Sequence, residues 1–381
     1  MSAATQTRVH RMKRIIPIVV GLISIAVGVY VSMPLLAGND WNPSVLIKFP
    51  EARPEQLAYG NDMLGEVVPA GGDGHDGKYY FMQAMDPFYV HPDDHAILLD
   101  RPSYRAQRMV YPTVAGGFGL LPPEATAWSL WGVNMIALAI GGWLTALLAI
   151  ELGLSPWFGL AFVFNPGILV SSLIDTAEVF AMVFFIASAL ALMRRRYLAG
   201  AVLLSLAALS RETMILAAIG AIIYIWRTER KVPWVLGLPF VTSAAWWLFL
   251  RAQIGYLDGG VQDVAAVGVP FKGFYDAAQL WLSRPDRTVD MMFGVILLVV
   301  SLLIVKHAWQ RPSLLGYMTA GFALVAVSMV GDVWKFYFDA SRALAPVITV
   351  YILIVPAGIK QMARQTQESP DLRAQPTGAK L

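Results

Sequence analysis

The sequence of 381 residues contains no cysteine. This absence excludes disulfide bonds, a cysteine nucleophile and metal sites with thiolate ligands. Charged residues are scarce as well, at 14% of the chain, whereas soluble domains carry about a quarter. No Walker A loop occurs, and the strings GGDG and GGFG do not follow a predicted strand, as a dinucleotide-binding motif requires. The chain therefore differs from soluble nucleotide-binding enzymes.

Apolar residues dominate what is present. They make up 57% of the sequence, the mean hydropathy is +0.56, and long apolar runs recur along most of the chain. This pattern predicts an all-α polytopic membrane protein whose surface contacts the lipid bilayer. The net charge is +3 and the pI about 9.0, but the basic residues form short clusters between apolar runs. Such clusters indicate membrane topology, so we expect no nucleic-acid partner.

The apolar runs predict about ten transmembrane helices in a single domain over residues 15–360. The run at 15–37 follows a basic N-terminal segment (residues 1–14) and is longer than the apolar region of a signal peptide, which favours an uncleaved anchor. The polar segment 361–381 is predicted to be a disordered cytoplasmic tail. The further spans are expected at residues 128–150, 156–173, 177–193, 197–209, 213–226, 233–250, 291–305, 313–330 and 343–359.

The basic clusters also predict the orientation. With the N-terminus in the cytoplasm, the clusters near residues 195, 230, 310 and 362 all lie inside, as the positive-inside rule requires. The long first loop, residues 38–127, then lies outside and is expected to be largely helical. Most remaining charged residues fall in this loop or at the outer ends of spans, which predicts a polar cavity that opens to the outside.

The first loop contains HDGKYYFMQAMDP, residues 75–87. Asp76 is placed to begin a helix, with Tyr79 and Tyr80 on its side at i+3 and i+4. In the functional interpretation Asp76 is a general base, and the two tyrosines bind a sugar or a lipid headgroup. In the structural interpretation Asp76 only caps the helix, and the aromatic rings pack at the membrane interface.

LDRPSYRAQRMVYP, residues 99–112, follows in the same loop. Arg101, Arg105 and Arg108 recur at i, i+4 and i+7, which predicts three guanidinium groups on one face of a helix. Guanidinium groups bind phosphate through paired hydrogen bonds, so this face is a candidate phosphate site. Contact with anionic lipid headgroups, or pairing with the loop acids Asp93 and Asp94, is the alternative.

Three other polar groups have two interpretations each. HPDDH, residues 91–95, could bind a divalent cation, although such loop clusters are more often solvated surface. Arg211 and Glu212 are expected to pair with each other, while Arg211 could instead contact substrate. The charged residues between positions 332 and 342 share one predicted helical face and could neutralise one another. Arg342, at the start of the last span, is also a candidate phosphate ligand. NPG, residues 165–167, predicts a kink within a span.

DGKYY, DRPSYRAQR and YP in the long first loop, ALSRET near residue 211 and DASRALAPV before the last span together resemble bacterial membrane proteins of the GT-C glycosyltransferase superfamily. The resemblance extends over most of the chain in architecture but only over these segments in sequence. It implies that a polyprenyl-phosphate-linked sugar is the donor, and that an acidic residue of the first external loop is the base or a metal ligand. Asp76 matches that residue best. Many members of the superfamily have their acid just after the first span, where this chain has Asp40.

The resemblance therefore implies an enzyme of the bacterial inner membrane. It would transfer a hexosyl or pentosyl group from a polyprenyl-phosphate sugar donor to an envelope glycan or glycolipid acceptor on the outer face. The expected catalytic residue is Asp76, no protein metal site is assigned, and a divalent cation is the one possible cofactor. A lipid or glycan transporter or flippase, and a non-catalytic envelope polysaccharide assembly protein, stay open as alternatives. The expected substrate-binding residues are Tyr79, Tyr80, Arg101, Arg105, Arg108, Arg211 and Arg342.

Overall fold

A computed structural model describes residues 3–98, 101–258 and 268–368 of the protein, with side chains described from residue 15 to residue 362 within those ranges. The described residues are predominantly helical, and Pro50 and Ala70 form one isolated parallel bridge. In chain order the α-helices are α1 (Ala3–Ala37), α2 (Ser44–Ile47), α3 (Pro54–Leu64), α4 (Gly77–Met85), α5 (Pro102–Arg105), α6 (Val110–Ala115), α7 (Pro123–Glu151), α8 (Pro166–Leu173), α9 (Glu178–Met193), α10 (Tyr197–Ser210), α11 (Ile215–Glu229), α12 (Leu238–Ile254), α13 (Lys272–Ser283), α14 (Thr288–Gln310), α15 (Leu314–Ser328), α16 (Gly331–Trp334), α17 (Tyr337–Ala343) and α18 (Ala345–Glu368).

Five helical segments are long and apolar enough to cross a membrane, judged by length and composition. They belong to α1, α7, α12, α14 and α18, and they indicate a membrane protein. The other predicted spans coincide with shorter helices: α9, α10, α11 and α15 have 16, 14, 15 and 15 residues. A spanning helix usually needs about 20 residues. The total of ten spans therefore stays a prediction. The five segments are Ile15–Ala37, Pro123–Glu151, Trp234–Asp258, Pro285–Gln310 and Ala345–Met362.

The predicted span at 156–173 is divided rather than kinked. A 3-10 turn, Pro156–Ala161, is followed by α8, which begins at Pro166. Proline disfavours helical backbone at the residue before it, and Asn165 has extended backbone angles. The Asn165 side chain accepts a hydrogen bond from the Gly167 N–H and donates to the Ala345 carbonyl oxygen, 2.9 Å away in α18. Asn165 thus begins α8 and joins it to the last helix.

The apolar core lies between the helices and extends along the length of α9, α10, α15 and α18. α1 packs on α7, α9 packs on α10, and α11 packs on α15. Side chains of Phe185 and Phe322 meet edge to face within this core, with ring centroids 6.3 Å apart. The core aligns these helices, so that the start of α9 and α11 and the end of α10 lie at the same end of the bundle.

The first loop folds into five short helices, α2 to α6, between α1 and α7. Its own small core is centred on Phe49, Phe81 and Tyr111, which pack against Leu130 of α7. At the start of α4, Gly77 leaves no room for a side chain, since a Cβ there would lie 2.6 Å from the Ile47 oxygen and 2.8 Å from the Ile174 oxygen. The loop is therefore seated on the helix bundle next to Asp76.

Both terminal helices extend beyond the apolar runs of the sequence. α1 begins at Ala3, so most of the basic N-terminal segment continues the first apolar helix. α18 continues to Glu368, and residues 361–368 are helical where a disordered tail was predicted. The last helix has no proline or glycine at this point that would end it. The remainder of that predicted tail lies outside the described residues.

Candidate functional site: a cluster of arginines and carboxylates around Asp76

Ion pairs from four parts of the chain meet at the end of the bundle that carries the first loop. We call this group the Asp76 cluster. Its four arginines balance its four carboxylates in charge, and one histidine completes it. Because such groups are costly near a membrane unless they are paired or functional, their convergence marks the candidate site. Its members are His75, Asp76, Arg105, Arg108, Glu178, Arg211, Glu212, Asp339 and Arg342.

Asp76 lies immediately before α4, as predicted, but its side chain makes no capping hydrogen bond. Its carboxylate instead binds arginines from two directions. Arg105 Nη1 donates to Oδ1 over 2.8 Å, and Arg342 Nη2 donates to Oδ2 over 3.3 Å. Arg108 Nη1 lies 3.9 Å from Oδ2. The capping interpretation of this side chain is therefore wrong, because the guanidinium groups offer charged donors in place of backbone amides.

Arg342 joins the last helices to the other carboxylates of the cluster. Its Nη2 donates to Glu178 Oε1 over 2.8 Å, and its Nη1 donates to Asp339 Oδ1 over 3.2 Å. Arg211 also donates to Glu178 Oε1. His75 Nε2 lies 3.7 Å from Asp339 Oδ1 and 3.4 Å from Arg342 Nη1. Arg342 is thus bound on both sides by carboxylates.

The position of Arg342 is fixed by backbone packing. Gly167 in the first turn of α8 lies directly against α17, and a Cβ at this position would be 2.1 Å from the Ser341 oxygen and 2.6 Å from the Arg342 nitrogen. A glycine is needed here because any side chain would occupy the space of the α17 backbone. The close contact brings Arg342 to Asp76 and Glu178.

Arg108 forms a two-point ion pair with Glu212. Its Nε and Nη2 donate to the two carboxylate oxygens, each over 2.9 Å. The remaining donors contact the hydroxyl oxygens of Tyr80 and Tyr104, at 3.2 and 2.8 Å. Arg108 is almost fully buried. Its donors are therefore shared among four acceptor atoms of the protein.

Tyr79 and Tyr80 support the arginines. The Arg105 guanidinium carbon lies 4.1 Å from the centroid of the Tyr79 ring, within the range of a cation–π contact. The Tyr80 ring packs edge to face on Tyr111, with centroids 5.5 Å apart, and its hydroxyl contacts Arg108. Both tyrosines are buried. The structure places them beneath the guanidinium groups, where they hold Arg105 and Arg108 in position.

Exposure separates the cluster into an open side and a closed side. The side chains of Asp76 and Arg105 retain 24% and 18% of their exposure. Those of Glu178 and Arg342 retain 3% and 6%. A molecule that approaches from outside the protein can therefore reach Asp76 and Arg105, whereas Glu178 is enclosed.

The arginines control the ionisation of the carboxylates outside the apolar helices. Burial acts to raise the pKa of Asp76, but the positive charges of Arg105, Arg342 and Arg108 outweigh burial and hold that pKa below its ordinary value. The pKa of Glu212 is lowered in the same way, with Arg108 outweighing burial. Burial raises the pKa of Tyr80 to about 12. In the unliganded cluster Asp76 is consequently ionised and weakly basic.

The predicted arginine stripe is only partly correct. α5 ends at Arg105, so residues 101–108 do not form one helix with three arginines on a single face. Arg108 leaves the helix because Tyr80, Tyr104 and Glu212 bind its guanidinium. Among the residues that the structure describes, the arginines within 4.0 Å of Asp76 are Arg105, Arg108 and Arg342. Arg101 immediately precedes α5 and is partly buried.

Two predictions that rest on residue spacing differ from the structure. Arg211 and Glu212 do not pair with each other: Arg211 binds Glu178 and Glu212 binds Arg108. Arg211 has extended backbone angles while Glu212 begins a 3-10 turn, so the two side chains diverge. The charges between residues 332 and 342 do not share one helical face either, because α16 and α17 are separate helices. The interpretation that these charges neutralise one another is confirmed, because Lys335 pairs with Asp332 at 2.6 Å and Arg342 pairs with Asp339 at 3.2 Å.

The polar residues of HPDDH contact separate partners. The Tyr59 hydroxyl lies 2.8 Å from His95 Nδ1, and the Tyr256 hydroxyl donates to Asp93 over 2.6 Å. Within residues 3–98, 101–258 and 268–368, no group of three or more His, Asp or Glu side chains is arranged to hold a metal ion.

Two other acids of the first loop, Asp86 and Asp40, lie apart from this arrangement. Asp86 accepts hydrogen bonds from the backbone N–H groups of Val90 and His91, at 2.9 and 2.8 Å. It therefore stabilises the turn after α4. Asp40 is exposed in the turn after α1. Among the described acids of the first loop, Asp76 is thus the one that binds an arginine from a later part of the bundle, Arg342.

Several members of the cluster were absent from the predicted site. Glu178 and Glu212 are the most important, because each binds a predicted phosphate ligand. The available sequence signal was an acid at the boundary of an apolar run, in SSLIDTAEV and LSRET, where a charge is costly without a partner. His75 and Asp339 adjoin predicted residues. Their proximity to each other depends on how α17 packs on the first loop.

Comparison of the chain with protein-family models, with curated proteins and with solved structures finds no match.

Proposed function

We propose that this protein is an integral membrane glycosyltransferase. It transfers a sugar from a polyprenyl-phosphate donor to an envelope glycan or glycolipid acceptor. In this proposal the chain has about ten spans with the GT-C arrangement, lies in a bacterial inner membrane and carries the Asp76 cluster on its outer face. The fold likeness rests on the sequence segments that resemble the GT-C superfamily, together with the long helical first loop.

The contact of Asp76 with arginines from opposite ends of the chain carries the proposal. Arg105 from the first loop and Arg342 from the approach to α18 both bind its carboxylate. A carboxylate and guanidinium groups are the groups that glycosyl transfer from a phosphate requires, one to accept a proton and the others to stabilise the leaving group. Asp76 and Arg105 lie on the accessible side of the cluster, and Arg342 lies behind Asp76 on the enclosed side.

The transfer would proceed by exchange of partners. The donor phosphate forms paired hydrogen bonds with Arg105 and Arg342 and so draws them from Asp76. Losing these positive neighbours raises the basicity of the Asp76 carboxylate. The acceptor hydroxyl oxygen then bonds to the anomeric carbon, its proton passes to Asp76, and the bond between the anomeric carbon and the phosphate oxygen breaks. The polyprenyl phosphate leaves as an anion paired with the arginines.

The charge balance of the cluster favours a second candidate. Each arginine of the Asp76 cluster already has a carboxylate partner, so an incoming phosphate must compete for hydrogen bonds. A non-catalytic envelope assembly protein could use the same ion pairs to fasten its first loop to the bundle. This candidate requires the cluster for folding but does not require Asp76 to be a base.

Asp76→Asn separates the two candidates. The variant keeps the size of the side chain and removes its ability to accept a proton. Transfer should fall roughly 10²–10⁴-fold if Asp76 is the general base. The assay uses purified full-length protein in lipid nanodiscs, a panel of radiolabelled polyprenyl-phosphate sugars, and envelope lipid extract as acceptor. Asp86→Asn is the matched control, because it alters an acid of the same loop that binds backbone N–H groups outside the cluster.

The outcomes are distinct. If Asp76→Asn retains transfer and Asp40→Asn abolishes it, the base is misassigned and the enzyme class is retained. If every first-loop carboxylate is dispensable, or the native protein transfers no sugar of the panel, the non-catalytic candidate is preferred. Donor affinity is a second measurement. Arg105→Ala should weaken donor binding by roughly 1–3 kcal/mol. Arg105→Lys should restore the affinity only in part, because lysine cannot form two parallel hydrogen bonds with a phosphate.

A further inference from the structure

A cavity of about 970 Å³ lies at the end of the bundle opposite the Asp76 cluster. α9 and α11 begin beside the cluster, and both end at the cavity. With a rise of 1.5 Å per residue, a helix of the length of α9 separates the two sites by roughly 24 Å. Protein cavities of about 300–1,000 Å³ are large enough for small-molecule ligands. The cavity is therefore a distinct candidate binding site.

The floor of the cavity is apolar. It is formed by buried side chains from four helices, which project toward the centre of the bundle. Aliphatic side chains offer no hydrogen-bonding groups to a soluble polar metabolite, but they match a hydrocarbon chain. The floor residues are Leu192 of α9, Ile225 of α11, Leu314 and Leu315 of α15, and Ile354 of α18.

The mouth of the cavity is polar and carries a net positive charge. Arg195, His307 and Arg311 line it together with one acid, Glu229. Glu229 accepts a hydrogen bond of 2.7 Å from the Tyr197 hydroxyl and lies 3.9 Å from Arg195. The Glu229 carboxylate is thus already in contact with Tyr197 and Arg195.

Arg311 is suited to bind an anion at this mouth. Its Nη2 contacts the sulfur of Met362 over 2.8 Å, and a thioether is a weak acceptor. Within the described part of the chain, no carboxylate oxygen lies within 4.0 Å of the Arg311 guanidinium nitrogens, the distance limit for an ion pair. Gly358 makes room for the guanidinium, since a Cβ there would lie 3.0 Å from Arg311 Nη1. A stronger acceptor can therefore take the place of the thioether.

We propose that this cavity binds a phosphate-bearing lipid, with one hydrocarbon chain on the apolar floor and the phosphate at Arg311 and Arg195. The apolar end of the site points toward the middle of the bundle and the charged end toward its surface, which is how a lipid is oriented in one leaflet. The inference uses the cavity alone and does not depend on the proposed glycosyl transfer.

The test measures binding of three probes to the full-length protein in dodecyl maltoside, a detergent without phosphate, by native mass spectrometry and titration. The probes are oleoyl lysophosphatidic acid, 1-oleoylglycerol and inorganic phosphate. We expect one molecule of lysophosphatidic acid to bind per chain. Arg311→Gln should weaken this binding roughly tenfold or more, since a charge-assisted hydrogen bond is lost. Ala357→Phe should narrow the cavity beside the apolar floor and weaken binding.

Lys231→Gln is the matched control, because it removes one exposed positive charge at the same end of the bundle without lining the cavity. Its affinity should equal that of the native chain. An equal loss of affinity in Lys231→Gln and Arg311→Gln would overturn the proposal in favour of diffuse attraction. Equal binding of 1-oleoylglycerol, which has the same hydrocarbon chain and no phosphate, would overturn the role of the phosphate. If inorganic phosphate binds as tightly as the lipid, and its binding is unaffected by Ala357→Phe, the ligand of the cavity is free phosphate and not a lipid.

Folding of each variant is checked by circular dichroism and gel filtration. Should Arg311→Gln unfold, Arg311→Lys keeps the charge and loses the planar fork of donors, and it should still weaken lysophosphatidic acid binding. The proposed site is refuted if both single variants, Arg311→Lys and Ala357→Phe, are folded and bind lysophosphatidic acid as tightly as the native chain.

Discussion

Glu178 and Arg342 share a hydrogen bond of 2.8 Å although 164 residues separate them in the chain. One begins an apolar helix and the other precedes the last helix, and both side chains are almost fully buried. Glu178 Oε1 also accepts a hydrogen bond from Arg211. One carboxylate oxygen therefore holds two guanidinium groups and connects three parts of the bundle beneath Asp76.

Glu178→Gln should destabilise the fold strongly. It leaves Arg211 and Arg342 without their common negative partner in a buried place, and breaking a buried pair from one side costs about 3–5 kcal/mol. Glu212→Gln is the control. The Glu212 side chain retains 26% of its exposure, so water can replace part of what is lost. Unfolding in detergent, followed by circular dichroism, should give a clearly larger loss for Glu178→Gln. Equal losses would contradict the central role of Glu178.

Gly167→Ala should displace α17. The added methyl group would enter the space of the Ser341 oxygen and the Arg342 nitrogen, so Arg342 must move from Asp76 and Glu178. We expect a lower melting temperature and weaker donor binding in the same variant. Gly132→Ala in α7 is the control, because a Cβ there has no neighbour within 4 Å. Alanine favours a helix interior by about 1 kcal/mol over glycine, so the control should be neutral or stabilising. A Gly167→Ala variant that matches it would refute the close contact.

Asp175→Asn should stabilise the protein at neutral pH. Asp175 lies in the turn between α8 and α9, is fully buried, and among the described residues neither carboxylate oxygen has a hydrogen-bond partner. Burial raises its pKa well above the ordinary value, and Lys48 opposes this only in part. The folded state therefore binds the proton more tightly than the unfolded state.

The pH dependence has a definite sign. Above about pH 4 the unfolded chain loses this proton while the folded chain keeps it, so stability falls as the pH rises, by about 1.4 kcal/mol per pH unit, up to the folded pKa. Asp175→Asn removes this slope, and its advantage should grow from pH 4 upward. The variant keeps the left-handed backbone, at φ 46°, which asparagine tolerates. Asp62→Asn, at an exposed position of α3, serves as the control. Parallel stability curves for native protein and Asp175→Asn would contradict the prediction.

Cysteine labelling should determine the orientation, because the native chain has no cysteine. Ala52→Cys is at an exposed position of the first loop, and Gln310→Cys is exposed at the end of α14. In spheroplasts, a membrane-impermeant maleimide should label position 52 directly and position 310 only after permeabilisation. The reverse pattern would place the Asp76 cluster in the cytoplasm and remove the proposed outer-face acceptor.

The hydropathy of the sequence was sufficient to predict the long helices, because an apolar run of about 20 residues has few alternatives to a helix that can cross a membrane. The neighbourhood of Asp76, Arg105 and Arg108 was also predictable, because these residues lie within a short stretch of one loop. The contact between Asp76 and Arg342 joins residues 266 apart. It depends on how α8, α17 and the first loop pack, which periodicity does not specify.

Local rules failed where tertiary contacts were stronger. The i, i+4, i+7 spacing predicted one helix through Arg108, but four acceptor atoms of Glu212, Tyr80 and Tyr104 bind that guanidinium after α5 has ended. Adjacency predicted that Arg211 would pair with Glu212. The backbone turns between them, and each finds an opposite charge from another helix. Intrinsic preferences are small beside such buried charge contacts.

The side chain of Asn165 has a mechanical consequence. By binding both its own helix start and the Ala345 oxygen, it fastens α8 to α18, and Gly167 of α8 packs against the backbone of Arg342. On the other side, Trp246 of α12 donates to the Ala106 oxygen, and Asp258 accepts from the Ser103 N–H, so α5 with Arg105 is fastened to α12 and the turn that follows it. Asp76 binds one arginine from each of these two sets of contacts, Arg105 and Arg342. A displacement of α12 relative to α18 would therefore lengthen the hydrogen bonds of this one carboxylate before those of its neighbours.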